Sequence, residues 1–236
     1  MERSLAVSDD PIGLGPATLK ELLQELISTA LGIWTPSDGC TDAEVAAAGD
    51  RLGICLPDAL RDYYVAAGRH PELMGMSGHE HTFRVSAPEH LSVEDGYMAF
   101  CGENRWSAQW SVCPDDVGWP DPRVHGRSEP SGKWYSESRR LSSFLINVAG
   151  RQAVRSLPHQ ATCRIREQQL GVVESLLGYL GSHEIQKGGD RLSFIDPSRR
   201  ILASYSYNTD TLLVAAVDLT ALESLHESSG LPLKPA

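Results

Sequence analysis

The stretch GICLPDALRDYYVAAG, residues 53–68, decides the fold of the first half of this chain. Gly53 suits the left-handed position that ends a helix. Pro57 is preset for the first turn of the next helix, where a missing N–H costs nothing. Asp58 complements the positive end of that helix. Leu60, Tyr63, Tyr64 and Ala67 then recur at helical spacing, and Gly68 stops the run. Ile54 and Leu56 plug the joint. The segment therefore reads as a tight helix–turn–helix corner. It holds no acid–base pair, no nucleophile with its base and no phosphate loop, so it is a packing device.

Upstream, TDAE at residues 41–44 is a capping box that opens the helix ending at Gly53. Val45, Ala48 and Leu52 give it a short inward face. An earlier helix carries Leu19, Leu22, Leu23, Leu26, Ile27, Ala30 and Leu31 in one apolar stripe. Thr18 and Glu21 have capping-box spacing at its start, and Gly32 ends it. Residues 1–15 are rich in Asp, Gly, Ser and Pro and read as disordered.

Downstream the period changes to two. HTFRV, GYMAFCGE and WSAQWSVC read as strands, with a turn at Asn104, so residues 96–113 form an antiparallel hairpin. The Pro-, Gly- and Asp-rich DDVGWPDP, residues 115–122, is a loop. A short strand around Lys133–Tyr135 leads into a helix with Leu141, Phe144, Leu145, Val148 and Ala149 on one stripe. RSLPHQAT, residues 155–162, reads as a linker. Beyond it a helix through Leu180 precedes three strands, RLSFID, ILASYSY and TLLVAAV. Asp218 caps a last helix to about His226, and GLPLKPA reads as a frayed tail. Segregated helices and antiparallel meanders make the fold class α+β. The expected organisation is a disordered segment 1–15, an α+β domain 16–156 with helices on one side of an antiparallel sheet, and a helix–three-strand–helix module 157–236.

Composition narrows the function. A formal net charge of −10 argues against direct nucleic-acid binding, which rests on clustered Lys and Arg. Residues 72–129 carry ten acids and four bases, and residues 133–200 carry six acids and eleven bases. The acidic half is thus a candidate partner surface, or simply a solvated face. The five cysteines are odd in number and form no CxxC, which fits reduced thiols in a cytosolic setting. No apolar run reaches the roughly 18 residues of a membrane span. The N-terminus lacks the pattern of a secretory signal. These features predict a soluble, cytoplasmic protein with no membrane partner.

Three stretches invite a chemical reading. His79 and His81 can share one strand face, but zinc needs a third ligand. His70, His90 and His125 are available, and no spacing fixes their geometry. Ser77 in GMSGH misses the G-x-S-x-G elbow, because Gly78 follows it directly. GRSEPSGKW, residues 126–134, has five residues between its glycines, and Trp134 replaces the magnesium-holding hydroxyl of a phosphate loop. The remaining cluster is Glu103, Asp115, Asp116 and Asp121, with Trp106 and Trp119 nearby in sequence. It reads either as an interface of aromatic anchors ringed by carboxylates, or as sheet-capping Trp side chains among solvated acids.

The run DAEVAAAGDRLGICLPDALRDYYVAAG resembles the N-terminal signature of the SUKH superfamily, which includes yeast cell-wall-synthesis regulators. The matching features fall on Glu44, Leu52, Gly53, Ile54, Leu56, Pro57, Leu60, Tyr63, Tyr64 and Gly68. Trp110 in GYMAFCGENRWSAQWSV stands at the family's aromatic position, and SRRLSSFLINVAG resembles its closing helix. The resemblance covers roughly residues 40–150, and the family's usual Asn-Gly is Ala67-Gly68 here. It implies a non-enzymatic binding fold without cofactor. The bacterial members are regarded as immunity proteins that neutralise toxins by binding them, here a basic toxin domain. The alternative is a regulatory or scaffold protein that recruits a partner through residues 157–236. Under either, no residue is assigned a catalytic role, and the oligomeric state stays open.

Overall fold

A computed structural model describes residues 18–76, 83–103, 108–128, 132–183, 191–198 and 200–236. The expected disordered segment 1–15 lies outside them, as do Ser77, His79, His81, Asn104 and Trp106.

The helical corner forms as its sequence dictates. Helix α1 (Leu19–Leu26) starts in a capping box at Thr18 and Glu21 and runs into a π turn over Ile27–Leu31. Helix α2 (Asp42–Leu52) starts in the box of Thr41 and Glu44 and ends at Gly53, which is left-handed at φ 69°. Helix α3 (Asp58–Ala67) follows at once, with Pro57 one residue ahead of its first turn. Leu56 is buried in the joint. The aromatic pair does more than fill space: the Tyr63 and Tyr64 hydroxyls donate to the carbonyls of Leu73 and Ser86, both at 2.7 Å. Each buried O–H is thereby satisfied while it fixes the chain that enters the sheet. Gly68 ends α3 for another reason than handedness. Its φ is an ordinary −63°, but a Cβ there would lie 2.6 Å from both Cys40 Sγ and the Tyr64 carbonyl oxygen.

The first sheet contains β1 (Phe83–Val85), β2 (Ser92–Glu94), β3 (Tyr97–Glu103), β4 (Ala108–Val112), β5 (Val124–Ser128) and β6 (Tyr135–Ser138). All pairs are antiparallel in the order β3-β4-β5-β6, with β1 and β2 sharing the other edge of β3. Its inner face packs on helix α4 (Leu141–Ser156), where Phe144 meets Phe83, Phe100 and Trp110. Three strands differ from expectation, the first being β2, since no strand is expected over Ser92–Glu94. β5 is too polar and Gly-containing to show alternation, and β6 starts where the Lys133–Tyr135 strand was expected to end.

The second sheet corrects the C-terminal reading. Among the described residues it has six antiparallel strands, ordered β12-β7-β11-β10-β9-β8, against an expectation of three. They are β7 (His159–Arg164), β8 (Gly178–His183), β9 (Arg191–Asp196), β10 (Ile201–Ser206), β11 (Thr211–Ala216) and β12 (Lys234–Pro235), with helix α5 (Glu167–Leu176) after β7 and helix α6 (Leu219–Ser229) after β11. The supposed linker is the end of α4 plus most of β7. The expected helix stops at Leu176, and GYLGSH becomes β8, because an apolar run holding two glycines suits an edge strand as well as a helix. The tail does not fray: Leu231 is buried and Lys234 and Pro235 pair with Thr162 and Ala161.

The two sheets flank α4. Eleven of its sixteen residues are buried, which marks a helix covered on all sides. Leu180, Ile195, Leu202 and Ala215 of the second sheet join the same core as Phe144 and Tyr63. The sheet's other face holds Phe194, Ile201, Tyr205 and Val214 against Leu170, Val173, Leu222 and Leu225 of α5 and α6. The chain is therefore layered as sheet, helices, sheet, helices.

Candidate functional site

The loop between β4 and β5 is clamped at several points. A 3-10 turn over Pro114–Asp116 closes through Asp116 N–H to Cys113 O at 3.0 Å, and Trp119 N–H donates to Asp116 O at 2.9 Å. Val117 is buried beneath it. Pro120 O accepts from Ala59 N–H at 3.0 Å, and Pro122 O accepts from Leu141 N–H at 2.8 Å. The Asp121 carboxylate accepts from Ser142 N–H at 2.8 Å and Ser142 Oγ at 2.6 Å. The loop thus supplies acceptors to orphan donors in the first turns of α3 and α4, and Asp121 acts as a cap reached from outside the helix. On this fixed base Trp119 stands 64% exposed. Asp115 is exposed beside it, and Asp116 is half-buried.

The structure separates the predicted cluster. Asp115, Asp116, Trp119 and Asp121 share the loop. Glu103 does not join them. Met98 pairs with Val112 and Gly102 with Gln109, so the loop leaves β4 beside the start of β3, while Glu103 ends that strand opposite Phe83. At ~3.3 Å per residue, β3 alone puts roughly 20 Å between its two ends. Proximity in sequence across a hairpin did not give proximity in space. Trp106 lies outside the described residues.

Beside the loop, the outer face of the first sheet brings together residues that sequence spacing does not group as a site. Tyr97 stacks on Trp134, with centroids 4.3 Å apart and planes 19° from parallel. The Arg127 guanidinium lies 4.6 Å from the Trp134 ring centre. Its Nε donates to Gln109 Oε1 at 2.7 Å, and its terminal nitrogen pairs with Glu94 Oε2 at 3.0 Å. His125 sets its ring against Tyr97 at 5.7 Å. Burial, aided by the nearby Cys113 and Asp115 of the loop, pushes the Tyr97 pKa up. Burial pushes the His125 pKa down, with Asp116 opposing it. The sequence carries little local signal for this face, because β5 shows no alternation; the register that pairs His125 with Ser111 and Arg127 with Gln109 is what sets them on one side.

Among the described residues, no group of three or more His, Cys, Asp or Glu is placed to hold a metal ion. Residues 126–128 of the glycine-containing stretch lie in β5 and so open no helix toward a phosphate. Among the described residues no helix is long and apolar enough to cross a membrane. What the loop and adjoining face offer is an exposed aromatic anchor, carboxylates and a half-buried aromatic stack braced by the buried Arg127, on a fixed scaffold. No protein-family model, no curated protein and no solved structure matches the chain.

Proposed function

We propose that this chain is a non-enzymatic protein-binding module of the SUKH type, an immunity protein that neutralises a bacterial toxin by direct binding. The observation that carries the reading is Trp119, exposed on a loop whose backbone is tied to two helix starts. A large aromatic on a backbone that is already fixed adds little loop-ordering cost on docking, which favours its use as an anchor. Asp115 and Asp116 beside it, on a chain of net charge −10, suit a basic partner and speed encounter with it. The mechanism is occlusion, with the loop and the Tyr97–Trp134 face covering the toxin's active groove. Glu103 takes no part in this surface.

The test is co-expression with toxin domains encoded beside its gene, followed by pull-down and measurement of toxin activity. Trp119→Ala is expected to weaken the complex by ~2 kcal/mol, about thirtyfold. Replacing Asp115 and Asp116 by Asn is expected to slow association and reduce its salt dependence. Failure to bind or neutralise any of these toxins would remove the basis for the assignment.

A further inference from the structure

Helix α1 and the second sheet leave a cavity of about 270 Å³ between them, walled by Leu22 and Glu25 of α1, Leu176 of α5, Leu180 of β8, and Ile195 and Asp196 of β9. It lies on the seam of the two cores: Leu22, Leu180 and Ile195 belong to the first, and Leu176 packs on the second.

Three departures from regular geometry lie in the lining elements or next to them. The helix of Leu22 and Glu25 widens into the π turn over Ile27–Leu31. Strand β8 carries a bulge between Tyr179 and Gly181. Arg200, in the turn after β9, is left-handed at φ 54°, and its Nε donates to Thr29 O in the π turn at 2.8 Å. A π turn and a bulge each accommodate an extra residue by distorting a regular ladder, and both are common beside functional sites. A non-glycine residue held left-handed is likewise a feature of ligand clamps.

The lining selects the ligand. Four walls are apolar side chains. Asp196 Oδ1 is engaged by Ser198 N–H at 3.0 Å and Ser198 Oγ at 2.6 Å. The Glu25 carboxylate makes no ion pair or hydrogen bond with any described residue. The volume falls just below the roughly 300–1,000 Å³ of sites for drug-sized ligands, so the occupant is smaller. We infer that the cavity binds a small amphipathic cation, an alkyl or aryl group carrying one ammonium, with the apolar part among Leu22, Leu176, Leu180 and Ile195 and the ammonium on Glu25. An anion would be repelled by the half-buried Glu25 carboxylate, and a neutral ligand would gain no charge-assisted contact from it. This site is independent of the toxin-binding surface.

The test titrates the full chain with n-hexylammonium, and with 1-hexanol and hexanoate as neutral and anionic counterparts of equal length. Methyl NMR and thermal melts provide the readouts. Hexylammonium should shift the Leu22, Leu176, Leu180 and Ile195 methyl signals saturably and raise Tm as a ligand of the folded state does. It should bind about tenfold tighter than hexanol, the worth of one charge-assisted contact. Glu25→Gln should abolish that preference, and high salt should weaken the ammonium but not the alcohol. Leu176→Trp should block both ligands. Equal binding of all three probes, a preference that survives in Glu25→Gln, salt-independent ammonium binding, or no shift at these methyls would overturn the inference.

Discussion

Two glycines bracket the helical corner, and they are needed for different physical reasons. Gly53 sits at φ 69° with open space where a Cβ would stand. Gly53→Ala therefore costs only the left-handed backbone, about 1 kcal/mol. Gly68 has a permissive backbone but no room, because its Cβ would fall 2.6 Å from Cys40 Sγ and from the Tyr64 carbonyl oxygen. Gly68→Ala should cost more, up to about 3 kcal/mol, as overpacking does. Adding Cys40→Ala should recover part of that loss, since it relieves the sulfur contact and leaves the backbone one. Urea denaturation of the three variants measures the order. Equal costs for the two glycines would refute the close-approach argument. Gly53's role was legible in the sequence because helix stops have a local signature. Gly68 was legible as a stop, but its reason was not, because it depends on Cys40, a residue brought near only by the packing of the preceding turn on α3.

At the scale of elements, α4 shows how far periodicity carries. Leu141, Phe144, Leu145, Val148 and Ala149 announce one buried stripe. The opposite face includes Asn147 and Gly150, which no hydrophobic count would mark. Yet Asn147 Oδ1 accepts from Ser193 Oγ at 3.1 Å, and a Cβ on Gly150 would touch Leu180 at 3.2 Å. A helix packed between two sheets needs small and hydrogen-bonded residues on the side of closer approach, and such residues look like surface. The same limit hid β8 and β12, whose strand character comes from their neighbours. The loop before α4 gives a direct test of which candidate residues are structural. Asp121→Ala removes both acceptors of Ser142 and should destabilise the fold by about 1 kcal/mol, as cap losses do. Trp119→Ala, two residues earlier and exposed, should stay within about 0.5 kcal/mol. Thermal or urea melts of both variants decide the matter. Comparable losses would mean that Trp119 supports the loop and does not serve as a projecting anchor.

For the molecule as a whole, the boundary between residues 156 and 157 separates two stretches of sequence but not two cores. The inward face of the second sheet lies against α4, through Leu180, Ile195, Leu202 and Ala215. The α+β class was legible because helix and strand periods segregate along the chain. The shared core was not, because nothing local tells a helix that both of its sides will be covered. The consequence is a prediction about truncation. Residues 16–156 expressed alone keep the helical corner and the first sheet, but they expose the Ile146, Asn147, Gly150 and Val154 side of α4. Each apolar side chain so exposed forfeits about 1.5–3 kcal/mol of burial, and a few such losses approach the whole stability of an ordinary domain, about 5–15 kcal/mol. The fragment should therefore lack a cooperative unfolding transition or aggregate, while the full chain unfolds as one unit. Circular dichroism melts and amide NMR dispersion of the two proteins measure this. A well-dispersed, cooperatively melting fragment would show that α4 does not depend on the second sheet. If the fragment fails as expected, its inability to bind a partner says nothing about where the partner docks. The docking surface must then be mapped by Trp119 and Asp115 substitutions in the intact chain.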